Sequence, residues 1–209
     1  MKLIRLFLFI AVIFCSCKQR DAKHLDPNKQ VDEGSVKGEV YNSPDIGWTI
    51  TIPTGWTVVS RDQTDANDKK GSEAMKKAYK GEINMSKLKH LISFQKDKFN
   101  VFMSTYEPFK DGAEAYEQNC LAVNNLIYET YTQQGIKSDT SSGKELIHGH
   151  YFRTFYATLY APSGQAVLRQ ILYSRLINEK DFTVTLNYNN EKDKEAMMDA
   201  WKNSTISNE

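Results

Sequence analysis

Two short patterns in this 209-residue chain carry side chains able to do chemistry. In His148-Gly149-His150, two imidazoles stand two residues apart. On an extended strand such residues project from one face, so the pair could share a metal ion, with a third ligand from His90, Glu145 or Asp139. A metal held there would support hydrolysis. The alternative reading is an exposed strand end with two polar residues. The second pattern is Cys15-Ser16-Cys17. A metal site needs about four ligands and a redox pair favours Cys-x-x-Cys in a folded context, whereas this pair sits at the edge of an apolar run. No Gly-x-Ser-x-Gly elbow, phosphate loop, His-Glu-x-x-His helix or calcium loop occurs. No catalytic residue is therefore assigned, and neither an enzyme nor a cofactor is expected.

The cysteine pair belongs to an export pattern. Lys2 and Arg5 precede an unbroken apolar stretch, residues 6–14, which is far short of the roughly 20 residues that span a bilayer as a helix. The stretch ending in Ser16-Cys17 resembles the lipobox of bacterial lipoproteins of the Bacteroidota type, in which the cysteine becomes the acylated first residue. That resemblance implies a signal peptide over residues 1–16, lipidation at Cys17 and loss of Cys15. Phe14 and Cys15 depart from the commonest lipobox residues. The residues after Cys17 are Lys-Gln-Arg-Asp instead of an acidic cluster, which favours the periplasmic face of the outer membrane over the cell surface.

Composition bounds the rest. The chain has 27 Lys and Arg against 26 Asp and Glu, and removing Lys2 and Arg5 leaves 25 against 26, a net charge of −1. No global field recruits nucleic acid. Beyond Cys17 only Cys120 remains, so no disulfide framework exists and an ordinary hydrophobic core must hold the fold. Residues 17–38 read as the lipidated N-terminus and a flexible tether, and residues 39–209 as one domain.

Within that domain the periodicities predict an α+β fold, a single curved antiparallel sheet packed by helices. Ile46, Trp48, Ile50 and Ile52 alternate with Gly47, Thr49 and Thr51, as in a half-buried strand stopped by Pro53. Residues 60–71 read as a loop and 72–79 as a short helix. Strands follow over 88–96 and 101–107. A helix over 113–134 carries Tyr116, Cys120, Val123, Ile127 and Tyr131 at steps of three and four, which places Cys120 on its buried stripe. Strands are then expected over 145–148, 151–160, 165–176 and 182–188, with Ala161-Pro162-Ser163-Gly164 as a hairpin turn, and a last helix over 192–202.

One sheet face remains as a candidate ligand surface. Phe152, Tyr156 and Tyr160 alternate with Thr154 and Thr158, and rings with hydroxyls between them can line a groove for a sugar, lipid or peptide. The alternative is the core face of a sheet. Arg153, Arg169 and Arg175 would add an anion-binding patch if they shared the solvent face.

The run Ile46-Gly-Trp-Thr-Ile-Thr-Ile-Pro-Thr-Gly-Trp56, the central helix, the long C-terminal meander and the closing helix together resemble the PsbP-like superfamily, which includes the DcrB-like lipoproteins. The resemblance implies an α/β/α sandwich and an accessory or binding role beside a larger assembly. Its motif is a packing motif and transfers no catalytic residue. The sequence therefore leads to the expectation of a lipid-anchored envelope protein that binds a partner protein. A metal-assisted hydrolase using His148 and His150, and a small-molecule or lipid carrier using the aromatic face, are the alternatives.

Overall fold

The computed structural model describes residues 25–79 and 84–207; Cys15, Cys17 and the export segment lie outside the described residues. The fold is α+β, with every strand pairing antiparallel. The strands form two sheets where the sequence suggested one. The smaller has the order β1-β2-β3-β12, from β1 (Ser35–Lys37), β2 (Val40–Ser43), β3 (Trp48–Thr51) and β12 (Thr205–Ile206). The larger has the order β4-β6-β7-β11-β10-β9-β8, with β5 paired to β7. Its members are β4 (Thr57–Val58), β5 (Lys89–His90), β6 (Phe94–Gln95), β7 (Val101–Pro108), β8 (Ser138–Ile147), β9 (His150–Tyr160), β10 (Ala166–Ile177) and β11 (Lys180–Tyr188).

Helices cover both faces of the large sheet. On one face lie α1 (Arg61–Ala78) and α2 (Gly112–Gln133). Their apolar stripes, Met75 on α1 and Val123, Leu126, Ile127 and Tyr131 on α2, bury against Phe155, Leu159, Leu168 and Leu172 of the sheet. On the other face lie the small sheet and α3 (Glu191–Lys202). There Trp48 and Trp201 are fully buried among Phe102, Phe152 and Phe182, with ring centroids 5.2 to 6.4 Å apart. Such pairs add specific geometry to the burial of large apolar area.

Three expectations are corrected. Part of the stretch read as a flexible tether over residues 17–38 belongs to the fold: Asp26 caps a 3-10 turn at Pro27–Lys29, and β1 joins the small sheet. The loop read over 60–71 is the first two-thirds of α1. Ser60 caps that helix by accepting from the Gln63 backbone N–H at 3.2 Å, and only Thr64, Gly71 and Met75 are buried, so its apolar stripe is too narrow to show as a period. The strand read over 88–96 is two short pieces, β5 and β6, around a buried Leu91-Ile92-Ser93 corner.

Candidate functional site

The His148-Gly149-His150 pair does not lie on one strand. His148 and Gly149 have φ of 53° and 79° and form the two-residue corner between β8 and β9, with Ile147 paired to His150 across it. Two positive φ values are what a tight hairpin of this length demands, so the shared-face geometry of an extended segment is lost. The Nε2 of His148 lies 3.0 Å from the Trp201 carbonyl and 3.1 Å from the Ser204 hydroxyl. Burial holds its pKa below the ordinary value of 6.5. His90 is buried on β5, four strand steps from β9 and thus roughly 19 Å away. Its Nε2 is 2.7 Å from Asp68, and its backbone N–H donates to Asp32. Among the described residues, no three His, Cys, Asp or Glu side chains are grouped to hold a metal.

The aromatic face is likewise divided. Phe152 is fully buried in the tryptophan core, while Tyr156 packs at its margin and donates to Glu145, which also accepts from Tyr173 at 3.0 Å. Tyr160 donates to Asp139 at 2.7 Å. The three rings form no single ligand face: Phe152 belongs to the core, and the hydroxyls of Tyr156 and Tyr160 are held by carboxylates of β8. The three arginines do not assemble either. Arg153 pairs with Ser174 on the α2 side of the sheet, whereas Arg169 and Arg175 have the opposite parity on β10. Arg153 is held by Glu117 of α2, with Nε 2.9 Å from the carboxylate, and Arg175 donates to the Tyr151 carbonyl at 3.1 Å.

What the fold does create is a crevice between α2 and the sheet. Its outer part is a groove of about 230 Å³ between α2 and β8, lined by Leu121, Asn125, Tyr128, Thr140 and Ser141 without a charged side chain. Leu121 and Tyr128, two turns apart on α2, are 56% and 46% exposed, which makes them unburied apolar anchors. β8 is the terminal strand of the sheet and has no partner on its outer side among the described residues. It pairs with β9 without a bulge over its whole length, and its side chains are nearly all exposed. It contains no proline, and two of its three charged residues, Asp139 and Glu145, turn back to tyrosines. Natural edges usually carry more protection than this against strand addition.

Asn124 crosses the crevice, its Nδ2 3.2 Å from the Ser142 hydroxyl. Inward of it lies a cavity of about 20 Å³ lined by Asn119, Cys120, Arg153, Ser174, Asp181 and Thr183. Asp181 faces Glu107 directly across the β11-β7 ladder, and both are only 2% exposed. Burial first, then the charge of Glu107, hold the Asp181 carboxyl well above the usual carboxylate range; the Tyr116 hydroxyl partly offsets this. Burial, with Asp181 adding, pushes the Cys120 thiol up to about 12, so it is no nucleophile at neutral pH. Sequence reading places Cys120 correctly on the buried stripe of α2 but misses the acid pair, whose only signal is an acid at one end of each of two apolar strands.

Fold and site together define an α+β sandwich with a crevice under one helix and an open sheet edge beside it. No family model and no curated protein matches the sequence. Among solved structures, that of cyanobacterial PsbP from Synechocystis sp. PCC 6803 is similar, with 12% identity over 83% of this chain and 98% of that one and a TM-score of 0.49.

Proposed function

We propose that this chain is a lipid-anchored module of the cell envelope, on the periplasmic face of the outer membrane, that binds a partner protein and performs no covalent chemistry. The anchor rests on the basic start, short apolar run and Ser16-Cys17 of the sequence. The binding role rests chiefly on one observation, the uncharged groove between α2 and the unpaired edge of β8. An extended polypeptide can add main-chain hydrogen bonds to such an edge while its alternate side chains enter the groove, contacting Leu121 and Tyr128. A photocrosslinking residue at Ser141, in full-length protein in its native envelope, should yield a discrete polypeptide adduct. The same residue at exposed Asp62 on α1 should not, and Leu121→Asp should suppress the Ser141 adduct. Equal adducts from both positions, or none from Ser141, would refute the assignment.

A further inference from the structure

The inner cavity carries an inference that stands apart from the partner-binding reading. Four residues lining it are at least nine-tenths buried and have a polar atom without a hydrogen-bond partner: Asp181 Oδ1, Thr183 Oγ1, Asn119 Nδ2 and Thr154 Oγ1. The two oxygens of β11, on Asp181 and Thr183, lie on the α2 face of the sheet, whereas Thr154 shares the parity of Phe152 and Tyr156 on the other face. Buried polar atoms left unsatisfied are costly, and the convergence of the Asp181 and Thr183 oxygens on one space points to an occupant that donates to both. The space, about 20 Å³, has room for one group the size of a water molecule.

The lining decides the chemistry of that group. A buried carboxyl with a second carboxyl, Glu107, across the ladder favours a cation over an anion. The guanidinium that lines it, that of Arg153, is already paired with Glu117 at the mouth. The remaining groups that face Asp181 are the hydroxyls of Tyr116 and Ser174 and the neutral thiol of Cys120. One carboxyl, hydroxyls and an amide are too few oxygens for a calcium or magnesium shell, which takes six or more. They do suit a cation that donates directional hydrogen bonds to the Asp181 carboxylate and to the hydroxyls of Thr183 and Ser174.

We propose that this cavity binds an ammonium ion, or the primary ammonium head of a larger molecule, through Asp181 and Thr183. Binding exchanges charge for charge. The Asp181 carboxyl gives up its proton to solvent as the ammonium enters, so the net charge of the cavity is unchanged and the cost of burying a cation is offset by the carboxylate that pairs with it. Affinity therefore rises with pH over the range in which Asp181 would otherwise stay protonated.

The test is thermal unfolding of the full-length protein in detergent, with ammonium chloride against potassium chloride and tetramethylammonium chloride at equal ionic strength. At ten times the dissociation constant, ammonium should raise the midpoint by about 3 °C, and by more at pH 8 than at pH 6. Asp181→Asn keeps the shape and removes the charge, and should abolish the difference. Thr183→Val should weaken it independently if the first variant folds poorly. Leu121→Asp, in the outer groove, should leave the response intact whether or not a partner binds there. An equal response to potassium, an equal response to tetramethylammonium, a response that survives Asp181→Asn, or no response to any cation, as for a cavity that holds ordered water only, would each overturn the proposal.

Discussion

The imidazole of His148 stands edge-on to the indole of Trp201, with ring centroids 5.4 Å apart and its Nε2 3.0 Å from the Trp201 carbonyl. A carbonyl in the last turn of α3 lacks a full intrahelical complement. The β8-β9 corner, through His148, and the Ser204 hydroxyl, at 2.8 Å, supply it. Two elements more than fifty residues apart are thereby joined at the end of the tryptophan core.

His148→Ala should destabilise the protein by about 1 to 2 kcal/mol, through the lost hydrogen bond and ring contact, without changing zinc content. The folded pKa of His148 lies below 6.5, so its neutral form is favoured. Its contribution is fully present above pH 6.5 and is lost as pH falls through the folded pKa. Urea midpoints from pH 8 to pH 5 should decline more steeply for the wild type than for His148→Ala. Parallel declines would remove His148 from this role.

Asp181 has the opposite sign. Its folded pKa is raised far above 3.8, so its contribution is complete below that value and is lost as pH rises through the folded pKa. Asp181→Asn should therefore stabilise the cation-free protein by at least about 1 kcal/mol near pH 8 and hardly at all near pH 4. Chemical denaturation at the two pH values checks it, and a variant weaker than wild type at pH 8 would contradict the buried acid pair.

Cys120 should resist a thiol reagent in the native protein and react freely in denaturant, since it is 7% exposed and its thiol is pushed up to about 12. Cys120→Ser should cost about 1 to 3 kcal/mol, because a hydroxyl is dearer to bury than a thiol. Rapid native labelling would show that α2 lifts from the sheet.

Cys17→Ala should abolish acylation, leaving an exported soluble protein or an uncleaved precursor, while Cys15→Ala should still be acylated and partition with membranes. Each buried acyl methylene contributes about 0.8 kcal/mol, and firm anchoring takes more than one chain. Among the described residues no helix is long and apolar enough to cross a membrane, so none of them replaces the anchor as a spanning helix. Metabolic labelling with a clickable fatty acid followed by fractionation decides the point; undiminished acylation of Cys17→Ala would sink it.

Local pattern made several elements legible. Ile46 to Ile52 alternate because β3 is buried on one face, Tyr116 to Tyr131 recur at helical spacing because α2 lies on the sheet, and Ala161 to Gly164 turn the chain in the hairpin expected of them. Each signal comes from neighbours within a few residues, where burial on one face leaves its period in the sequence. Other elements have no such signature. α1 is a helix on the strength of a serine cap and a stripe of three buried residues, and β8 runs to ten residues with hardly an apolar one because its partner β9 supplies the ladder. His148 turns a corner instead of extending, since the register of β8 with β9 leaves only two residues to reverse the chain. The crevice is further still from local pattern. Asp181 meets Glu107 across 74 residues of chain, and both are placed beneath α2 by strand order. Non-local register decides which polar groups share a buried space, and no spacing along the chain encodes it.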